Sequence, residues 1–199
     1  MIYNILLCLG DSLTFGARDR YGRNYPLELA QRLSEKSGEE WYCITEAYNG
    51  RISSELAREA YTSVSKYPDV YGVLLLIGTN DSRNGIPPEI FEDNIRQIVR
   101  VCRIHKKKIY ALSIPTVTVK RHFLWFDEAC LARIEEYNRI LERMDHVKFI
   151  DIRDAIRDEE LIDGLHFSHE ANVKLAELLA ARLLNVGAND TKNCGDKVR

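Results

Sequence analysis

Apolar and polar positions along the chain switch repeatedly between two periods. Residues 2–9 are apolar or aromatic except for Asn4, a buried-strand pattern that breaks at Gly10-Asp11-Ser12. Residues 25–37 carry Leu29, Ala30 and Leu33 at helical spacing and stop at Gly38. Residues 41–45 read as a short strand, and 53–65 as a helix with Leu56, Ala60 and Val64 on one face. Residues 70–77 read as a strand, and their run Val73-Leu74-Leu75-Leu76-Ile77 suits a central parallel strand covered on both faces. Pro87-Pro88 opens a helix over 89–105, since proline fits a first turn. Ile90, Ile95, Ile98, Val99 and Cys102 mark its expected inner side. A strand over 108–114, a helix over 128–144 and a short strand over 147–150 follow. The last helix is expected over 168–184, capped by Ser168 and striped by Ala171, Leu175, Leu178, Leu179 and Leu183, with Arg182 outward.

Strand then helix, about five times, predicts an α/β fold: a parallel sheet with helices on both faces. No repeat or linker divides the chain, so one domain is expected over 1–186, followed by a polar tail over 187–199. In such sheets ligands bind beyond the carboxyl ends of the strands. Four segments fall there: Gly10-Asp11-Ser12-Leu13, Asn49-Gly50-Arg51, Gly78-Thr79-Asn80-Asp81 and Asp163-Gly164-Leu165-His166.

Together they hold what acyl transfer requires: a nucleophile, a base, a group orienting the base, and donors for a developing oxyanion. Ser12 can attack and His166 can take its proton. Asp163, three residues earlier, can reach the imidazole through a turn at Gly164 and fix its tautomer. The Ser12 N–H, the Gly50 N–H and the Asn80 amide can form the oxyanion hole. Read singly, each piece is ordinary: Asn80 and Gly50 suit turns, Asp163 suits a cap, and His166 suits a packed core.

Composition excludes little else. The 199 residues are 45% hydrophobic and 29% charged, ordinary for a globular chain. A formal charge of −2 gives no general attraction to nucleic acid or to an anionic membrane. The basic run His105-Lys106-Lys107-Lys108 reads as a solvated helix end. No stretch reaches transmembrane length, so no stable membrane insertion is expected. The five cysteines are scattered without CxxC spacing, and Cys8, Cys43, Cys102 and Cys130 read as packed thiols. With no signal-peptide pattern at the start, the cytoplasm is the expected compartment, although a chain trimmed of its leader would read the same. His166 and His169 stand three apart, but no acid or cysteine cluster accompanies them, and no metal site is expected.

The blocks resemble those of the SGNH hydrolases, also called the GDSL esterase/lipase family, from the first strand to the last helix. Gly10-Asp11-Ser12-Leu13 is similar to the nucleophile block, Gly78-Thr79-Asn80-Asp81 to the block with the oxyanion asparagine, and Asp163-Gly164-Leu165-His166 to the Asp-x-x-His block. Asn49-Gly50-Arg51 matches the glycine block more loosely, and Phe167 stands where many members have proline. The resemblance implies a three-layer α/β/α, flavodoxin-like sandwich with five parallel strands in order 2-1-3-4-5. It also implies catalytic Ser12, Asp163 and His166, an oxyanion hole of Ser12, Gly50 and Asn80, and no cofactor.

The implied activity is serine-esterase hydrolysis of short acyl, aryl or carbohydrate acetyl esters through an acyl-enzyme, with lysophospholipids and acyl thioesters as alternatives. The expected partner is therefore a small-molecule, lipid or carbohydrate ester, and the oligomeric state is left open. A phosphate-binding flavodoxin-like module, using the turn at Gly10 as an anion nest, is the non-enzymatic alternative. It leaves Asp163 and His166 without a task. Residues 116–126 read as packed aromatics or as a wall over the substrate, with Phe123 and Trp125 as candidate contacts. Phe15, Arg18 and Arg51 also fall near the site, where an arginine can meet an acidic group.

Overall fold

A computed structural model describes residues 3–116 and 126–192. Its five strands are β1 (Tyr3–Gly10), β2 (Glu40–Ala47), β3 (Gly72–Leu76), β4 (Lys108–Leu112) and β5 (Val147–Ile150). They form one all-parallel sheet in the order β2-β1-β3-β4-β5, the order the resemblance implied. Helix α2 (Tyr25–Ser37) packs against α7 (His169–Lys192) as one outer layer. Helices α3 (Ser53–Ser65), α5 (Pro88–Ile104) and α6 (Glu128–Arg143) pack in series as the other. Right-handed crossovers require this division once β2 and β3 lie on opposite sides of β1. Strand β3 is buried along its whole length, as its unbroken apolar run predicts.

The register levels the strand ends. Gly10 pairs with both Ala47 and Leu76, and Leu112 pairs with Ile150. The chain runs from β1 out to β2 and returns past β1 to β3, so the crevice between the carboxyl ends of β1 and β3 is the point where strand order reverses. Two short helices sit at that crevice, α1 (Ser12–Phe15) and α4 (Thr79–Arg83). Four or five residues are too few to show a period, so the sequence pattern did not predict them.

Other differences are local. On α5, Ile95, Ile98, Val99 and Cys102 are buried as expected, but Ile90 is 46% exposed and Phe91 is buried in its stead. Phe91, Ile95, Ile98 and Cys102 fall on one helical stripe, and Ile90 is rotated off it by one position. Helix α7 runs to Lys192, so residues 187–192 of the expected tail are helical. No proline interrupts the chain there, and an existing helix gains a backbone hydrogen bond with each added residue. Ser168 Oγ accepts the Ala171 N–H at 3.1 Å, as its capping role predicts. No described helix is long and apolar enough to cross a membrane.

Candidate active site

Glycine allows the chain to double back at the end of β1. A β-carbon on Gly10 would lie 2.2 Å from Thr14 Oγ1 and 2.6 Å from the Leu76 carbonyl oxygen. Asp11 then caps α1, its Oδ1 accepting the Leu13 N–H at 3.0 Å. Thr14 anchors the turn from beneath through Tyr25 OH, 3.1 Å away in the core. Ser12 is thereby the first residue of α1, where a backbone N–H has no acceptor within the helix.

The second half of the site is a closed loop between β5 and α7. Leu161 bridges Phe167, Ile162 N–H donates to the His166 carbonyl at 2.8 Å, and Ser168 N–H donates to the Glu160 carbonyl at 2.9 Å. Leu161, Leu165 and Phe167 are buried and hold the loop to the core. Within it, Gly164 takes the left-handed φ of 82°. Asp163 Oδ1 accepts both the Leu165 N–H at 3.2 Å and the His166 N–H at 2.9 Å. Its other oxygen, Oδ2, lies 2.8 Å from His166 Nδ1, and His166 Nε2 lies 3.0 Å from Ser12 Oγ. Burial pushes the Asp163 carboxyl up, but the backbone N–H and ring of His166 outweigh it and hold the group below its ordinary value. An ionised Asp163 accepts from Nδ1–H, which leaves Nε2 as the acceptor for the Ser12 hydroxyl. Such a series can move a proton off Ser12 as its oxygen attacks a carbonyl.

Asn80 and Gly50 stand on the β3 side. Gly78 leads into α4 with φ 129°, and a β-carbon there would lie 2.4 Å from Ile114 Cδ1. Asn80 Nδ2 donates to the Arg51 carbonyl at 3.1 Å and to Asp11 Oδ2 at 3.3 Å. Asp81 accepts the Ser53 N–H at 3.0 Å and also the Ser53 hydroxyl, tying α4 to the start of α3 and fixing the 49–52 loop beside Asn80. Gly50 adopts φ 80°, and its N–H finds no acceptor among the described residues. Ser12, Gly50 and Asn80 all line one cleft of about 490 Å³, with His166 beside them.

Arg51 does not reach that cleft. Its side chain is 1% exposed, stacks on the Tyr48 ring at 4.2 Å, donates to the Glu46 carbonyl at 3.0 Å and pairs with Glu59. The expected substrate contact is thus corrected: Arg51 offers its carbonyl to Asn80, while its guanidinium closes the gap between β2 and α3. Arg18 and Phe15 do line the cleft, and Arg18 Nε lies 2.8 Å from Asp163 Oδ2. Phe123 and Trp125 lie outside the described residues. Arg83 lines the cleft without having been anticipated; it stands three residues after Asn80, a spacing that becomes informative only once α4 is known to be helical. His169 faces Asp19 at 3.6 Å and meets the Tyr21 ring edge-on. Among the described residues no cluster of His, Cys, Asp or Glu is placed to hold a metal.

Residues 8–173 match the model of the GDSL-like lipase/acylhydrolase family. An arylesterase of Vibrio mimicus is 27% identical over 185 residues, covering 90% of this chain and 88% of that protein. A lipase/acylhydrolase from Enterococcus faecalis superposes with a TM-score of 0.76 at 22% identity, covering 90% of this chain and 95% of that one. A catalytic mutant of an acetylxylan esterase from Geobacillus stearothermophilus superposes with a TM-score of 0.73 at 17% identity, covering 89% and 93%.

Proposed function

The chain belongs to the GDSL-like lipase/acylhydrolase family of ester-hydrolysing serine hydrolases, and from that premise we propose that Ser12 is its nucleophile, His166 its general base and Asp163 the group that orients the base. The observation that carries this is the unbroken path from Ser12 Oγ to His166 Nε2 at 3.0 Å and from His166 Nδ1 to Asp163 Oδ2 at 2.8 Å. Ser12 Oγ attacks the ester carbonyl while His166 Nε2 takes its proton. The tetrahedral oxyanion is held by the N–H groups of Ser12 and Gly50 and by Asn80 Nδ2. Collapse expels the alcohol, protonated by His166, and leaves an acyl group on Ser12. Water, deprotonated by His166, then releases the acid by the same steps in reverse order.

The substrate is a small carboxylic ester with a short acyl, aryl or carbohydrate acetyl group. A cleft of about 490 Å³ supports that size class, being at the small end for ligand sites. The free cysteines Cys8, Cys43, Cys102 and Cys130 suit a reducing compartment, and the cytoplasm is the proposed location.

Hydrolysis of p-nitrophenyl esters from acetate to palmitate, by wild type and Ser12→Ala, tests the reading. Fluorophosphonate labelling followed by intact mass runs beside it. The expected result is short-chain activity and labelling, both lost in Ser12→Ala. Activity that survives Ser12→Ala overturns the mechanism, and neither activity nor labelling in the wild type overturns the esterase assignment.

A further inference from the structure

The charged side chains lining the cleft differ in how far the protein engages them. Arg18 is spoken for by Asp163, at 2.8 Å. Asp19 also lines the cleft, but its Oδ1 accepts the N–H groups of Tyr21 at 2.7 Å and Arg23 at 3.0 Å, while its Oδ2 faces His169. Asp163 is engaged by His166 and by two backbone N–H groups. Arg83 is different. It is the last residue of α4, half-buried, and its side chain makes no hydrogen bond, ion pair or ring contact with any described residue. A cation withdrawn from water without a partner is unfavourable, so the cleft gains by receiving an anion there.

The position narrows the chemistry. Arg83 follows Asn80 by three residues on one helix, which places their β-carbons about 5–6 Å apart. Asn80 marks the side of the cleft on which a carbonyl oxygen sits in the proposed mechanism. Arg83 also lines the same cleft as Ser12, Asn80 and His166, and the planar fork of a guanidinium matches carboxylate or phosphate oxygens. We propose that Arg83 is a specificity-determining residue that selects esters bearing a carboxylate or phosphate near the scissile bond. This rests on the esterase reading above and adds the charge class of its substrate.

Two matched pairs of aryl esters test it. Mono-p-nitrophenyl glutarate against p-nitrophenyl pentanoate places the charge on the acyl side. 4-Acetoxybenzoate against phenyl acetate places it on the alcohol side. The quantity read is the ratio of kcat/KM for the charged over the neutral member, in wild type, Arg83→Lys and Arg83→Gln. In at least one pair that ratio should fall tenfold or more in Arg83→Gln and less in Arg83→Lys, and should fall with added salt in the wild type. Inhibition by glutarate against glycerol phosphate then distinguishes carboxylate from phosphate recognition, with Arg83→Gln relieving whichever is the stronger. Ratios unchanged in both pairs overturn the inference. Because each ratio carries its own neutral control, a folding defect cannot imitate the result. Neutral-ester hydrolysis that is lost in Ser12→Ala while the ratios ignore Arg83 sinks this inference alone; hydrolysis that survives Ser12→Ala sinks the mechanism beneath it.

Discussion

Asn80 Nδ2 donates to Asp11 Oδ2 at 3.3 Å while also donating to the Arg51 carbonyl at 3.1 Å. The two hydrogens of the amide are thus both engaged within the protein. A developing oxyanion draws on the longer and weaker of these bonds first, the one to Asp11. Asp11 is itself an unusual partner. Burial pushes its carboxyl up to about 7, the Leu13 N–H opposing the rise and the nearby Asp81 adding to it.

That proton links folding to pH. In the unfolded chain Asp11 ionises near pH 3.9, about the value of an unperturbed aspartate. The folded state binds the proton more tightly between there and pH 7. The stability it contributes is full below about pH 4 and is lost as pH rises through 7. Asp11→Asn removes this titration while its amide oxygen can still cap the Leu13 N–H. Urea unfolding at pH 5 and pH 8 should show wild type losing stability relative to the variant at the higher pH. A difference that is flat, or that moves toward the wild type, contradicts the linkage.

Asp163→Asn should abolish most activity without unfolding the loop. The amide oxygen can accept the Leu165 and His166 N–H groups as Oδ1 does now. The amide nitrogen then meets His166 Nδ1 as a donor and forces the ring proton onto Nε2, where Ser12 needs an acceptor. A loss of roughly 10³–10⁴ in kcat is expected at pH 7. Near-wild-type turnover would show that Asp163 does not select the tautomer.

Asn80→Ala should reduce kcat by about 10²–10³, the usual consequence of deleting one oxyanion donor, with a smaller change in KM. Steady-state kinetics on a short p-nitrophenyl ester separate the two effects. An unchanged kcat would remove Asn80 from the oxyanion hole.

On α5 the two neighbouring apolar residues should behave oppositely. Phe91 is fully buried and stacks on Tyr137 with ring centroids 4.1 Å apart, whereas Ile90 is 46% exposed. Phe91→Ala should cost about 3–5 kcal/mol, and Ile90→Ala should stay within roughly 0.5 kcal/mol. Chemical denaturation of the two variants decides it, and equal losses would return Ile90 to the buried face.

The sequence by itself determined most of the elements, because their signals are local. Tyr25–Ser37 begins at the Asn24 cap and ends at Gly38, whose φ of 73° favours glycine, and both residues lie within one turn of the helix they bound. It also determined the residue types of the site, since Ser12, Asn80 and His166 each follow directly from a strand end or a short motif. Tertiary structure decided the rest. Ser12 and His166 are 154 residues apart, and only the packing of the loop after β5 beside the end of β1 brings them within 3.0 Å. No local pattern says which way a long side chain turns. Arg51 follows a strand end as the site residues do, yet Glu59 and Tyr48 draw its guanidinium inward. Arg83 carries no motif, yet the fold leaves it in the cleft without a partner among the described residues. Apolar periodicity records which face a backbone buries, whereas the direction of a charge depends on partners that only the assembled chain supplies.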